Sequence, residues 1–151
     1  MAYKRILLGH SCDPDDAFMF YGLTSGAVPA DPYRIEHVLA DIETLNQRTA
    51  SGELDLSAVS LHAYAYIRHS YAMLSCGASV GEGYGPVLVA HQPMAVAGLR
   101  DIEIAVPGPL TTAFLVLRMA IGPFNYRVVP FDRIMPQVIE GSAKAGLIIH
   151  E

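Results

Sequence analysis

Charge is scarce in this sequence: 17% of its residues are Asp, Glu, Lys or Arg, against 52% apolar. A chain so apolar can bury enough surface to fold, which argues against disorder. Its net charge of −5 offers neither nucleic acid nor an anionic membrane anything to hold, so no such partner is expected. No apolar run approaches the roughly eighteen residues of a membrane span. Cysteine is nearly missing, with Cys12 and Cys76 far apart and no CxxC spacing. Reduced thiols are therefore expected rather than a structural disulfide. The opening "MAYKRILLGH" has too short an apolar run for a secretory leader, and no small-residue cleavage site follows it. It reads as the first strand of a cytoplasmic protein. Low-complexity tracts and short-period repeats are absent too.

What is present is an alternation. Short apolar runs that read as strands, "YKRILLG" (3–9), "YRIEHVLA" (33–40), "YAMLSCG" (71–77), "PVLVAH" (86–91), "DIEIAVP" (101–107), "YRVVPF" (126–131) and "AGLIIH" (145–150), are interleaved with helix-like segments. The helical segments are 13–26, closed by Gly26; 41–54, closed by Ser-Gly; the part of "LSAVSLHAYAYI" after Leu61; 110–121; and 132–141. Strands alternating with helices predict an α/β protein, a mostly parallel sheet with helices on its faces. The pattern restarts near residue 100, which predicts two lobes, residues 1–95 and 96–151. The chain ends directly after a strong apolar strand, where a further crossover element is the rule. It is expected to be cut short.

The stretch "LLGHSCDPDDAF" (7–18) concentrates three aspartates, a serine, a cysteine and a histidine. Proline suits the first position of a helix, since its missing N–H has no intrahelical partner there. Asp13 is then the N-cap, with acid in the first turn favouring the positive end of the helix dipole. A helix start explains these carboxylates better than a metal site, because His10 and Cys12 do not supply converging ligands at a recognised spacing.

Ser11 follows the first strand, where ligands bind in open α/β sheets. Ser60 follows "LSAV", and Thr111 and Thr112 follow "IEIAVPGPL", so a hydroxyl recurs between strand end and helix start. Each alone reads best as a cap for its own helix. The three together read equally well as a receptor for a carboxylate or phosphate. "GEGYG" (81–85) lacks the GxGxxG pattern and is followed by a strand, so it reads as a turn that could border a ligand. His62 reads as helix packing near the cleft, and His37, His69 and His91 as surface or structural residues. His150 follows the last strand, placed to take or give a proton near neutral pH, although a terminal residue alone argues for no role.

Several collinear segments, "GHSCDPDDAFMFYGL", "DIETLNQ", "GELDLSAVSLHAY", "GEGYGPVLVA", "VPGPLTTAFLVLR" and "IMPQVIEGSAKAGLIIHE", resemble the 1,4-dihydroxy-6-naphthoate synthase family of the futalosine route to menaquinone. The resemblance runs from about residue 5 to the end. It implies the two-lobed fold of type 2 periplasmic binding proteins, here incomplete, in a cytoplasmic lyase. The implied reaction cleaves cyclic dehypoxanthinyl futalosine to 1,4-dihydroxy-6-naphthoate and a sugar-derived fragment. His150 then matches the catalytic base. Thr111, Thr112 and Ala113 match a helix start gripping a carboxylate substrate. Ser11, Ser60 and His62 match the first-lobe side of the cleft, with Gly83 and Tyr84 lining it. No metal or organic cofactor is implied.

Two departures stand out. The family commonly has a Pro–Cys–Pro–Asn-like run where this chain reads "SCDPDD", which puts the acids Asp15 and Asp16 near the ligand. Family members also continue past "HE", so a fragment is expected, with little turnover and exposed sheet edges that favour a homo-oligomer. Chorismate dehydratase of the same route and a non-enzymatic solute-binding protein are the alternatives.

Overall fold

A computed structural model describes residues 3–149. The chain divides into two compact units, Met1–Val80 and Gly81–Glu151.

In the first unit, β1 (Lys4–His10) is followed by α1 (Pro14–Thr24), β2 (Tyr33–Leu39), α2 (Ile42–Ala50), β3 (Leu56–Ser57) and α3 (Leu61–Ile67). The sheet order is β2-β1-β3, and both pairings are parallel. Burial rises along β1 toward its carboxyl end, where Leu8 is fully buried. On the other face of the strand, Gly9 lets the buried Leu45 and Leu54 come close. A Cβ there would lie 2.6 Å from Leu54 Cδ1, 2.8 Å from Leu45 Cδ2 and 2.8 Å from the Ser57 hydroxyl. The helices start and stop on local signals. Asp41 caps α2, its carboxylate accepting from the Thr44 N–H at 3.0 Å. Gly52 and Gly26 adopt positive φ just past the ends of α2 and α1.

The second unit holds β4 (Val87–Ala90), a 3₁₀ turn over Val96–Asp101, β5 (Glu103–Val106), α4 (Thr112–Ile121), β6 (Asn125–Val128), α5 (Phe131–Ile139) and β7 (Ala145–Ile148). The order β4-β7-β5-β6 is parallel except for β4, which runs antiparallel to β7. Ile104 and Val106 of β5 pack on one face with Phe114 and Leu117 of α4, and Ala145 and Leu147 of β7 join them. Ala105 and Ile148 pack on the other face with Ile134 and Val138 of α5. A strand covered on both faces has no polar alternation, which is why "IAV" and "GLII" are unbroken apolar runs.

Two expectations need correction. The division between units comes after Val80, not after residue 95. The reason is β4, which falls within the expected first lobe but makes its ladder with β7 in the second unit. The expected strand at 71–77 does not form. Tyr71 N–H and Ser70 N–H instead close the end of α3 on the Ile67 carbonyl, the Tyr71 hydroxyl is tied to Leu54 O, and Met73 and Leu74 are exposed. An apolar run of that length does not specify a strand unless a neighbour offers a ladder.

Candidate functional site

The carboxyl ends of β1, β2 and β3 share one edge of the first sheet, and α1, α2 and α3 each start from it. Ser11 and Ser60 lie on this edge, and their hydroxyls are in different states. Ser11 is buried. Its Oγ donates to Asp13 Oδ2 at 2.8 Å and accepts the Asp13 N–H at 3.1 Å, while its own N–H donates to Asp16 Oδ2 at 2.7 Å. The aspartates therefore share the work of the helix start differently from the expected cap. Asp13 makes no side-chain cap bond to α1, and Asp16 reaches back from the first turn to hold the loop. Asp15 is exposed.

Ser60 stands at the N-cap of α3 but makes no side-chain cap bond. It is held by Asn46 of α2, which is fully buried. Asn46 Nδ2 donates to Ser60 Oγ at 3.0 Å, and Asn46 Oδ1 accepts the Ser60 N–H at 2.9 Å. His62, half-buried in the first turn of α3, lies 3.3 Å by its Nε2 from the Tyr66 hydroxyl.

Behind Ser11 sits an imidazole pair absent from the expected site. His10 Nδ1 lies 2.9 Å from the Ser11 carbonyl oxygen, an acceptor only, so that nitrogen carries the proton. His10 Nε2 then accepts from His37 Nδ1 at 3.0 Å. His10 is buried and stacked on Phe20 with ring centroids 4.8 Å apart. Burial, reinforced by His10, holds the His37 pKa below the ordinary imidazole value of 6.5. Read singly, neither histidine signals the pair. It arises because parallel pairing sets β2 beside β1.

In the second unit, β5 and β7 are parallel neighbours, and the loop leaving the carboxyl end of β5 leads into α4. Thr111 is the N-cap of α4 and is fully buried. Its hydroxyl donates to Gly108 O at 2.8 Å and accepts the Phe114 N–H at 3.2 Å. Thr112, the next residue, is half-buried, and Ala113 is buried. Amides in the first turn of a helix have no intrahelical carbonyl, so those of Thr112 and Ala113 are the anion-binding groups α4 can offer. Gly83 turns with φ +75° and Tyr84 is exposed, both ahead of β4 in this unit. His150 lies outside the described residues. Ser11 and Ser60 thus belong to one sheet, and Thr111 and Thr112 to the other. Among the described residues, no group of three or more His, Cys, Asp or Glu could hold a metal ion.

Residues 6–151 match the family described as menaquinone biosynthesis. The chain belongs to that family. It is 45% identical over 149 residues to the 1,4-dihydroxy-6-naphthoate synthase of Thermus thermophilus, covering 98% of this chain and 53% of that protein. It is 36% identical over 157 residues to the Streptomyces coelicolor protein of the same name, covering 100% of this chain and 55% of that one. This menaquinone biosynthesis chain therefore spans about half the length of the curated relatives it matches. A solved Archaeoglobus fulgidus protein superposes with a TM-score of 0.88 at 47% identity, over 97% of this chain and 54% of that one. The alkanesulfonate-binding protein of Xanthomonas axonopodis pv. citri, bound to MOPS, matches with a TM-score of 0.68 at 14% identity, over 99% and 56%. The fold is thus α/β and like that of type 2 periplasmic binding proteins, about half of which this family member spans. No helix among the described residues is long and apolar enough to cross a membrane.

Proposed function

We propose that the protein carrying this chain is a 1,4-dihydroxy-6-naphthoate synthase, a cytoplasmic lyase that cleaves cyclic dehypoxanthinyl futalosine without metal or organic cofactor. One observation carries the reading: the 45% identity to a protein of that name over 149 residues, 98% of this chain. In this reading His150 is the base that starts ring opening. In the first unit the Ser60 hydroxyl donates to the substrate carboxylate; in the second, the first-turn amides of α4 at Thr112 and Ala113 are the groups able to bind an anion. Thr111 shapes the start of α4, since its hydroxyl is already engaged at both ends. Ser11 and His62 are further candidate contacts in the first unit, and Gly83 and Tyr84 in the second.

Product assays on the full-length protein test this. Cyclic dehypoxanthinyl futalosine should be converted, chelators should leave the rate unchanged, and His150→Ala should abolish turnover while substrate still binds. A positioned base is worth about 10² to 10⁴ in rate, so the loss should be at least of that order. Dehydration of chorismate in place of futalosine cleavage would overturn the reading. So would ligand binding with no chemistry that His150→Ala leaves unaltered.

A further inference from the structure

The clamp on Ser60 has a directional logic. A peptide N–H can only donate, so the Asn46 atom 2.9 Å from Ser60 N is its carbonyl oxygen. The amide nitrogen is then the atom 3.0 Å from Ser60 Oγ, and it can only donate. The Ser60 oxygen is thereby an acceptor toward Asn46, and its own proton has no acceptor among the described residues. Asn46 is fully buried and Ser60 half-buried, so the partner that fixes the hydroxyl is a core residue while Ser60 itself keeps some exposure. Accepting one hydrogen bond also makes a hydroxyl a better donor in the next. Ser11, by contrast, gives its proton to Asp13.

We propose that Asn46 is a positioning residue: its two-point clamp makes Ser60, and not Ser11, the hydroxyl that donates to the guest, and so favours a guest presenting a carboxylate. This rests on Ser60 being a substrate ligand in the synthase reading. Asn46 never touches the guest. It acts by deciding which way the Ser60 hydroxyl is polarised.

Asn46→Asp in the full-length protein tests it. The variant keeps an acceptor for the Ser60 N–H, but its second oxygen takes the Ser60 proton. Hydrogen bonds to charged groups are worth about 1.5–3 kcal/mol, so KM and the Kd for 1,4-dihydroxy-6-naphthoate should rise about tenfold to hundredfold, with kcat little changed. Affinity for 1,4-dihydroxynaphthalene, which lacks the carboxylate, should hold. Ser60→Ala should show the same selectivity, and Asn46→Asp should add nothing on that background. Equal loss for both ligands, or an undiminished effect of Asn46→Asp in the Ser60→Ala protein, would overturn the proposal while leaving an active synthase. A wild-type protein that neither turns over nor binds either compound would overturn the synthase reading, and this inference with it. Should Asn46→Asp not fold, the Asn46 side-chain NH₂ signals of the wild type report instead. The naphthoate should shift them and the carboxylate-free analogue should not, with no shift in Ser60→Ala. Signals that stay put in the wild type count against the proposal.

Discussion

At the scale of single residues, the His10–His37 contact ties pH to stability. Burial of His37 against a second imidazole disfavours its protonated form, so its folded pKa lies below 6.5. The unfolded chain therefore takes up a proton first as pH falls, and stability rises with pH wherever the unfolded state binds more protons. This contribution is complete above the ordinary imidazole value and is lost as pH drops through it toward the folded pKa. The midpoint of urea unfolding should fall between about pH 7 and pH 5 more steeply in wild type than in His37→Gln, whose amide can still donate to His10 Nε2. Equal slopes would show that the pair does not couple to folding. Much at this scale was hidden in the sequence. "DPDD" announced a helix start, and a helix starts there. Asn46 was illegible, because a polar residue within a helical pattern declares neither its burial nor its partner until β3 and α3 fold back on α2.

At the scale of elements, close approach between helix and sheet is the controlling feature. Gly146 lies in β7 under α5, and a Cβ there would sit 2.5 Å from Ile134 Cγ2 and 3.0 Å from Val138 Cγ2. Ile134 and Val138 are themselves buried, so neither has room to withdraw. Gly146→Ala should destabilise the chain by about 1–3 kcal/mol, the usual cost of overpacking a filled core, as read by denaturant unfolding. A neutral result would mean that α5 can lift off the sheet at little cost. Strand and helix order was readable from apolar runs and glycine stops over most of the chain. It failed at 71–77, where the apolar letters of "YAML" found no ladder. It also failed to give β4 its antiparallel direction, since a lone strand of four residues carries no mark of the partner it will choose.

For the molecule as a whole, β2 and β3 edge one sheet and β4 and β6 the other, and large apolar side chains stand in water. Phe18, Val80, Met119 and Ile139 are all more than two-thirds exposed. Exposed strand edges and apolar surface drive association. We expect the 151-residue polypeptide alone to self-associate or unfold readily, and to show little turnover. Sedimentation velocity and product assays check this; a monodisperse, active monomer would contradict it. The sequence by itself determined the α/β class, the two-part organisation and the family, because these rest on periodicity and on collinear local motifs that no distant contact alters. Only the tertiary structure decided where the units divide, which hydroxyl keeps its proton and which histidines meet. Each of those depends on partners brought together by strand pairing and helix packing, and distance along the chain does not encode distance in space.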